Sequence, residues 1–137
     1  MDKNPDIDLV SDLKAKAVGE PIASVLGMKL RELAPGHARV AMIVRPEYMN
    51  FNGMLFGGIV MSVTDQSFAF ATNSVARRNV ASQMNIHFIG TAEVGDEIIA
   101  ECRVIKAGRR VCVSEITVTN QSGKLIARAT GTTIPTG

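Results

Sequence analysis

From residue 58 to about residue 75 the chain reads as one long helix with apolar side chains on nearly every face. Ile59, Val60, Met61, Val63, Phe68, Ala69, Phe70 and Ala71 fill its successive turns. A helix lying on a protein surface keeps a polar stripe, so this one has to be enclosed by other structure. The segments available to enclose it are strands. Residues 80–89, 97–106, 111–119 and 125–133 are rich in β-branched side chains, and Gly95-Asp96, Gly108-Arg109 and Gly123-Lys124 mark turns between them. Turns this short join neighbouring antiparallel strands, so a meander is expected. Ahead of the helix, residues 28–33 begin a strand and Pro35-Gly36 marks a turn. Residues 37–44 then alternate, with Ala38, Val40 and Met42 on one face. Residues 12–26 suggest one short helix or two, with Pro21 as a first-turn residue and Gly27 as a stop, and residues 1–10 are expected to form a flexible arm. The fold class is α+β: an antiparallel sheet wrapped around one long central helix, with a short N-terminal helix.

The length of 137 residues suits a single domain spanning 1–137. Hydrophobic residues at 46% and charged residues at 20% describe a globular protein, not a disordered one. A formal charge of +2 gives no reason to expect nucleic acid, although a local basic cluster suffices for a polyanionic small molecule. Cys102 and Cys112 lack metal-ligand spacing and lie in strand-like segments, as small buried residues in a reducing compartment do. His37 and His87 have no Cys, Asp or Glu at ligand spacing, so no metal is expected. The N-terminal stretch is acidic and polar, unlike a signal peptide. No apolar run approaches the ~18 residues of a membrane span. A cytoplasmic protein without membrane contact is the expectation.

The chemistry is concentrated in the run from Asn50 to Asp65. Gly57-Gly58 stands at the mouth of the apolar helix and Asp65 lies two turns further in. Free N–H groups at a helix start favour developing negative charge, and a carboxylate in apolar surroundings can act as a base or a nucleophile. These parts suffice to attack a carbonyl and hold the oxyanion that forms. Aspartate is a poor helix-interior residue and costly to bury unpaired, which favours a functional role over a structural one.

Asn50, Gly53, Gly57, Gly58 and Asp65, followed by Ala69-Phe-Ala-Thr-Asn73-Ser74, Val80-Ala-Ser82 and the Gly95-Asp96 and Gly108-Arg109 turns, resemble the hotdog-fold acyl-CoA thioesterases of the phenylacetic-acid-degradation type. The likeness spans roughly residues 20–133. It departs from the family at Phe56, where a histidine is usual and is thought to orient the thioester carbonyl. The resemblance implies hydrolysis of an aryl or medium-chain acyl-CoA to free acid and CoA, without a cofactor. It also implies a homo-oligomer with a dimer as the minimum unit, leaving tetramers open.

Gly57 and Asp65 are eight residues apart, about 12 Å along one helix at its usual rise. Both must come within ~3 Å of one carbonyl and its attacking atom, so one helix cannot serve a single substrate with both. Two copies of the helix are therefore expected to meet antiparallel across a two-fold axis, Gly57 of one subunit facing Asp65 of the other. Asp65 and Gly57 are the candidate catalytic residues, the latter through its backbone N–H. Gly58 lets the substrate approach closely, Phe56 touches ligand at the mouth, and Asn50 bonds the thioester or a water. Phe51, Phe56, Phe68, Phe70, Met49, Met54 and Met61 are expected to line an acyl tunnel, with core packing an equal explanation for Phe68 and Phe70. Family likeness places Ser82 near the attacking water and Arg109 on the phosphates of coenzyme A, with Arg110 and Arg77-Arg78 as further phosphate candidates. The alternative reading is a non-catalytic acyl-CoA binding or sensing module on the same scaffold, motivated by Phe56.

Overall fold

The computed structural model describes residues 5–76 and 78–136. Its elements in chain order are α1 (Pro5–Ala17), α2 (Pro21–Leu26), β1 (Lys29–Ala34), β2 (His37–Ile43), a single 3-10 turn (Pro46–Tyr48), α3 (Gly57–Asn73), β3 (Asn79–Phe88), β4 (Glu97–Ala107), β5 (Cys112–Asn120) and β6 (Leu125–Pro135). Helix α1 begins at Pro5, so residues 5–10 are helical where an arm was expected; residues 1–4 lie outside the described residues. Two short helices therefore precede the sheet. Pro21 opens α2, and Gly27 closes it at φ +69°, the left-handed conformation that glycine adopts without steric cost.

The six strands form one antiparallel sheet in the order β1-β2-β4-β5-β6-β3. β4, β5 and β6 are the expected meander. β3 departs from it: the strand pairs with β6 at the far edge, from Asn79 opposite Pro135 to Phe88 opposite Ala127. The Gly95-Asp96 turn thus ends a crossover, where Val44 N–H donates to the Asp96 carbonyl and Gly95 N–H donates to the Val44 carbonyl. A glycine turn has the same local chemistry in a hairpin and in a crossover, which is why the two read alike.

The sheet curls around α3, which contacts all six strands. Inward residues alternate along the strands, Ala38, Val40 and Met42 on β2 and Ile98, Ala100 and Cys102 on β4, and close on Val63, Phe68 and Ala71 of the helix. Phe68 lies directly on β6: a Cβ added to Gly131 would stand 2.5 Å from its ring. The hydroxyls of Thr64 and Thr72 are buried, and each donates to a helix carbonyl four residues earlier.

Enclosure of α3 is incomplete in the single chain, contrary to expectation. Gly58, Met61, Ser62, Asp65, Gln66, Ala69 and Asn73 form one incompletely buried stripe, with Asp65 and Ala69 exposed. Among the described residues β3 has no strand on its outer side, and it is exposed on both faces for most of its length. The open stripe and the open edge mark where the fold is unfinished. Among the described residues no helix is long and apolar enough to cross a membrane.

Candidate active site

The entrance to α3 is built by the loop before it. Asn50 N–H donates to the Met54 carbonyl at 2.7 Å and Gly53 N–H to the Asn50 carbonyl at 2.9 Å, with Gly53 at φ +70°. Asn50 Oδ1 accepts from the backbone N–H groups of Asn52 (2.9 Å) and Met54 (3.1 Å), a side-chain turn typical of asparagine. Its amide oxygen therefore shapes the loop, and only Nδ2 is left to face a ligand. Phe56 N–H donates to the Tyr48 carbonyl at 2.9 Å, and the buried Tyr48 donates its hydroxyl to the Leu26 carbonyl at 2.6 Å. The loop is thus tied to the end of α2.

Phe56 occupies the N-cap with extended backbone and no side-chain cap. Its carbonyl accepts from Ile59 and Val60, while the N–H groups of Gly57 and Gly58 have no acceptor among the described residues. Unpaired donors at the start of a 17-residue helix carry the positive end of its dipole. Two aromatic rings flank them. A Cβ on Gly58 would meet Cε2 of Phe56 at 2.5 Å, and one on Gly57 would meet Cε1 of Phe88 at 3.3 Å. Both rings are more than half exposed, at 56% and 55%. A cleft of about 590 Å³ opens beside Gly57, walled by Leu55, Val60, Phe88 and Ile89 and reaching Lys124.

Asp65 lies on the open stripe of α3, two turns beyond the glycines. The carboxylate takes part in no hydrogen bond or ion pair among the described residues. Although its side chain reaches solvent in the single chain, desolvation by the surrounding protein raises its pKa above the usual carboxylate value. It serves no structural partner among the described residues.

Ser82 is the extra residue of a bulge between Ala81 and Gln83 in the β3–β6 ladder, and its exposed hydroxyl donates weakly to the Thr132 carbonyl at 3.4 Å. Arg109 is exposed at the tip of the β4–β5 turn, which Gly108 N–H closes on the Val111 carbonyl at 3.0 Å. Arg110 is exposed beside it, and Arg77 lies outside the described residues.

These residues fall into two groups near opposite ends of α3, with Asp65 midway along it. Asn50, Phe56, Gly57 and Gly58 surround its N-terminus. β3 starts at the other end, where Asn79 N–H donates to Asn73 Oδ1, and it finishes with Phe88 beside Gly57. Ser82, near its start, therefore lies toward the C-terminal end of the helix. The Arg109 turn is at that end too: Val104 N–H bonds Gly36, whose own N–H donates to Ser74 Oγ at the close of α3. One chain does not bring the two groups together.

Of the remaining candidates, Phe51 points to solvent, Met61 is half-buried on the open stripe and Met54 lines the cleft. Phe68 and Phe70 are core residues. His37 bonds Glu101 at 2.8 Å on the sheet's outer side. The sequence reading missed Phe88, Ile89 and Lys124. They approach Gly57 only because β3 crosses to the β6 edge, and no local signal marks that pairing.

The model of the Thioesterase superfamily matches residues 52–127 of the chain. The acyl-coenzyme A thioesterase PaaI of Escherichia coli is 32% identical over 105 residues, which cover 77% of this chain and 75% of that protein. The solved E. coli PaaI protein, from the phenylacetic acid degradation operon, superposes with a TM-score of 0.91 at 28% identity, over 98% of this chain and 97% of that one. A Streptococcus mutans protein solved with acetyl CoA superposes with a TM-score of 0.77 at 28% identity, over 80% and 89% of the two chains. The glycine-mouthed helix, the curled sheet and these likenesses agree: the chain belongs to the thioesterase superfamily, as a PaaI-like hotdog-fold member.

Proposed function

We propose that the chain is an acyl-CoA thioesterase whose working unit is a dimer with two equivalent sites, each made from the Gly57 end of one subunit and the Asp65 of its partner. The observation that carries this reading is the pair of complementary vacancies on α3: donors without acceptors at its start, and a carboxylate without donors on its open stripe. The free edge of β3 supplies the geometry. Because β3 runs from the C-terminal to the N-terminal end of α3, antiparallel edge pairing of two copies sets the Phe88 end of one beside the Ser82 end of the other. Asp65 of one copy then approaches the glycine amides of the other.

In this site the thioester oxygen accepts from Gly57 N–H, and negative charge builds on it as the carbonyl carbon is attacked. As a base, Asp65 takes the proton of the attacking water. As a nucleophile, its oxygen bonds the carbonyl carbon, and water then cleaves the resulting anhydride. In either case the C–S bond breaks, CoA leaves as a thiolate that gains a proton, and the acid is released. Ser82 of the partner orients the water, and Arg109 of the partner holds the phosphates of CoA.

Purified protein should release free thiol from a panel of aryl and medium-chain acyl-CoAs, and Asp65→Asn should lower turnover by about 10²–10⁴-fold while the fold, followed by circular dichroism, is retained. Full activity in that variant would remove Asp65 from the chemistry. One observation favours a second reading. The apolar Phe56 ring covers Gly58 where a hydrogen-bonding histidine is usual, as suits a binding module. Thermal stabilisation by acyl-CoA with no thiol release would select it.

A further inference from the structure

The cleft beside Gly57 is apolar along its walls and ends at a cation. Leu55, Val60, Phe88 and Ile89 line it with Gly90, Thr91 and Lys124, and Lys124 packs over Gly90 and Thr91, two and three residues beyond the Phe88 that flanks Gly57. Its volume of about 590 Å³ falls in the range of small-molecule sites. Lys124 is held in place there. Its stem passes over Gly90, where an added Cβ would stand 3.4 Å from Lys124 Cε, an ordinary contact; the Leu125 carbonyl oxygen, 2.6 Å from that Cβ, is what requires glycine there. Its ammonium donates to the Thr91 carbonyl at 3.1 Å. Asp96 feels its charge: hydrogen bonds from Gln121 and from Glu93 N–H, and after them the Lys124 ammonium, hold the Asp96 carboxyl below its usual range. Asp96 does not form an ion pair with it: one carboxylate oxygen accepts from Gln121 and the other from Glu93 N–H, both at 2.9 Å. Two of the three ammonium protons are left for another acceptor.

We infer that the cleft receives the acyl group of the substrate and that Lys124 binds a carboxylate at its far end, so that the preferred substrates are CoA monothioesters of dicarboxylic acids. The inference rests on the hydrolase reading above. The thioester carbonyl at Gly57 fixes one end of the acyl group, the walls are mostly apolar along its length, and Lys124, the only cation lining the cleft among the described residues, meets the other end. The CoA half of the substrate runs the opposite way, toward the partner's Arg109 in the proposed dimer.

The test compares adipoyl-CoA with hexanoyl-CoA, equal in carbon count and differing in the terminal carboxylate, by thiol release. The native protein should favour adipoyl-CoA in kcat/KM by at least about tenfold, the scale of one charge-assisted hydrogen bond. Lys124→Met should reduce that ratio at least about tenfold, Lys124→Arg should keep it, and Lys124→Glu should invert it. A native ratio near one, or a ratio unmoved in Lys124→Met, would overturn the inference. Equal losses for both esters in that variant would do the same, since they would assign Lys124 to CoA. Thiol release from hexanoyl-CoA without preference leaves the hydrolase reading intact, whereas no thiol from either ester overturns both.

Discussion

Asp65 carries opposite requirements for stability and for chemistry. In the unfolded chain an aspartate titrates near ~3.9; in the folded chain desolvation raises that value. Between the two values the folded state retains a proton that the unfolded state releases. Stability from this group is therefore full below the unfolded pKa, falls as pH rises through the folded pKa, and stays lower above it. Asp65→Asn removes the cost of the charge. Its Tm at pH 7 should exceed that of the native protein, with the gap closing as pH falls to about 4, while thiol release is lost. Equal Tm values across this range would contradict the desolvated acid. Asp65, Gly57 and Gly58 were legible in the sequence because a helix start and an interior acid are local features. The use of Asn50 Oδ1 to fold its own loop was not, since a turn asparagine and a ligand-facing one have the same neighbours in the chain. The sequence put Phe56 at the mouth of α3, but not its packing over Gly58.

At the scale of elements, α3 and β6 depend on one close contact. Gly131 and Phe68 are buried, and any side chain at 131 drives into the ring, with three of its carbons within 2.9 Å of an added Cβ. Gly131→Ala should destabilise the fold by about 1–3 kcal/mol, the usual cost of overpacking a filled core, read from urea unfolding midpoints. No change would mean that Phe68 has room to move. The strands and the long helix followed from alternation and composition, with boundaries close to those observed. Strand order did not follow. The Gly95-Asp96 turn reads as a hairpin, and only the non-local ladder between β3 and β6 makes it a crossover. The apolar composition of α3 pointed to full enclosure, whereas the chain alone leaves a stripe carrying Asp65 uncovered. Gly58, Ser62 and Ala69 on that stripe are small enough for a second helix to approach closely.

At the scale of the molecule, the open stripe and the bare β3 edge are one problem with one proposed solution, a second copy of the chain. In the proposed dimer the separation of the candidate residues along α3 is closed between subunits, since one chain does not bring them together. Gly57 is the first residue of α3, and Phe56 before it is extended at ψ 130°, so the backbone there accepts proline, provided the exposed Phe88 ring, 3.3 Å from an added Cβ, gives by a few tenths of an ångström. Gly57→Pro deletes the donor while keeping the helix start. Chains carrying Gly57→Pro and chains carrying Asp65→Asn should each be inactive by themselves. Co-expressed, they should pair at random, half of the dimers being mixed and each mixed dimer holding one intact site. The account predicts recovery of about a quarter of native thiol release, and no recovery in a preparation shown to contain mixed dimers would contradict it.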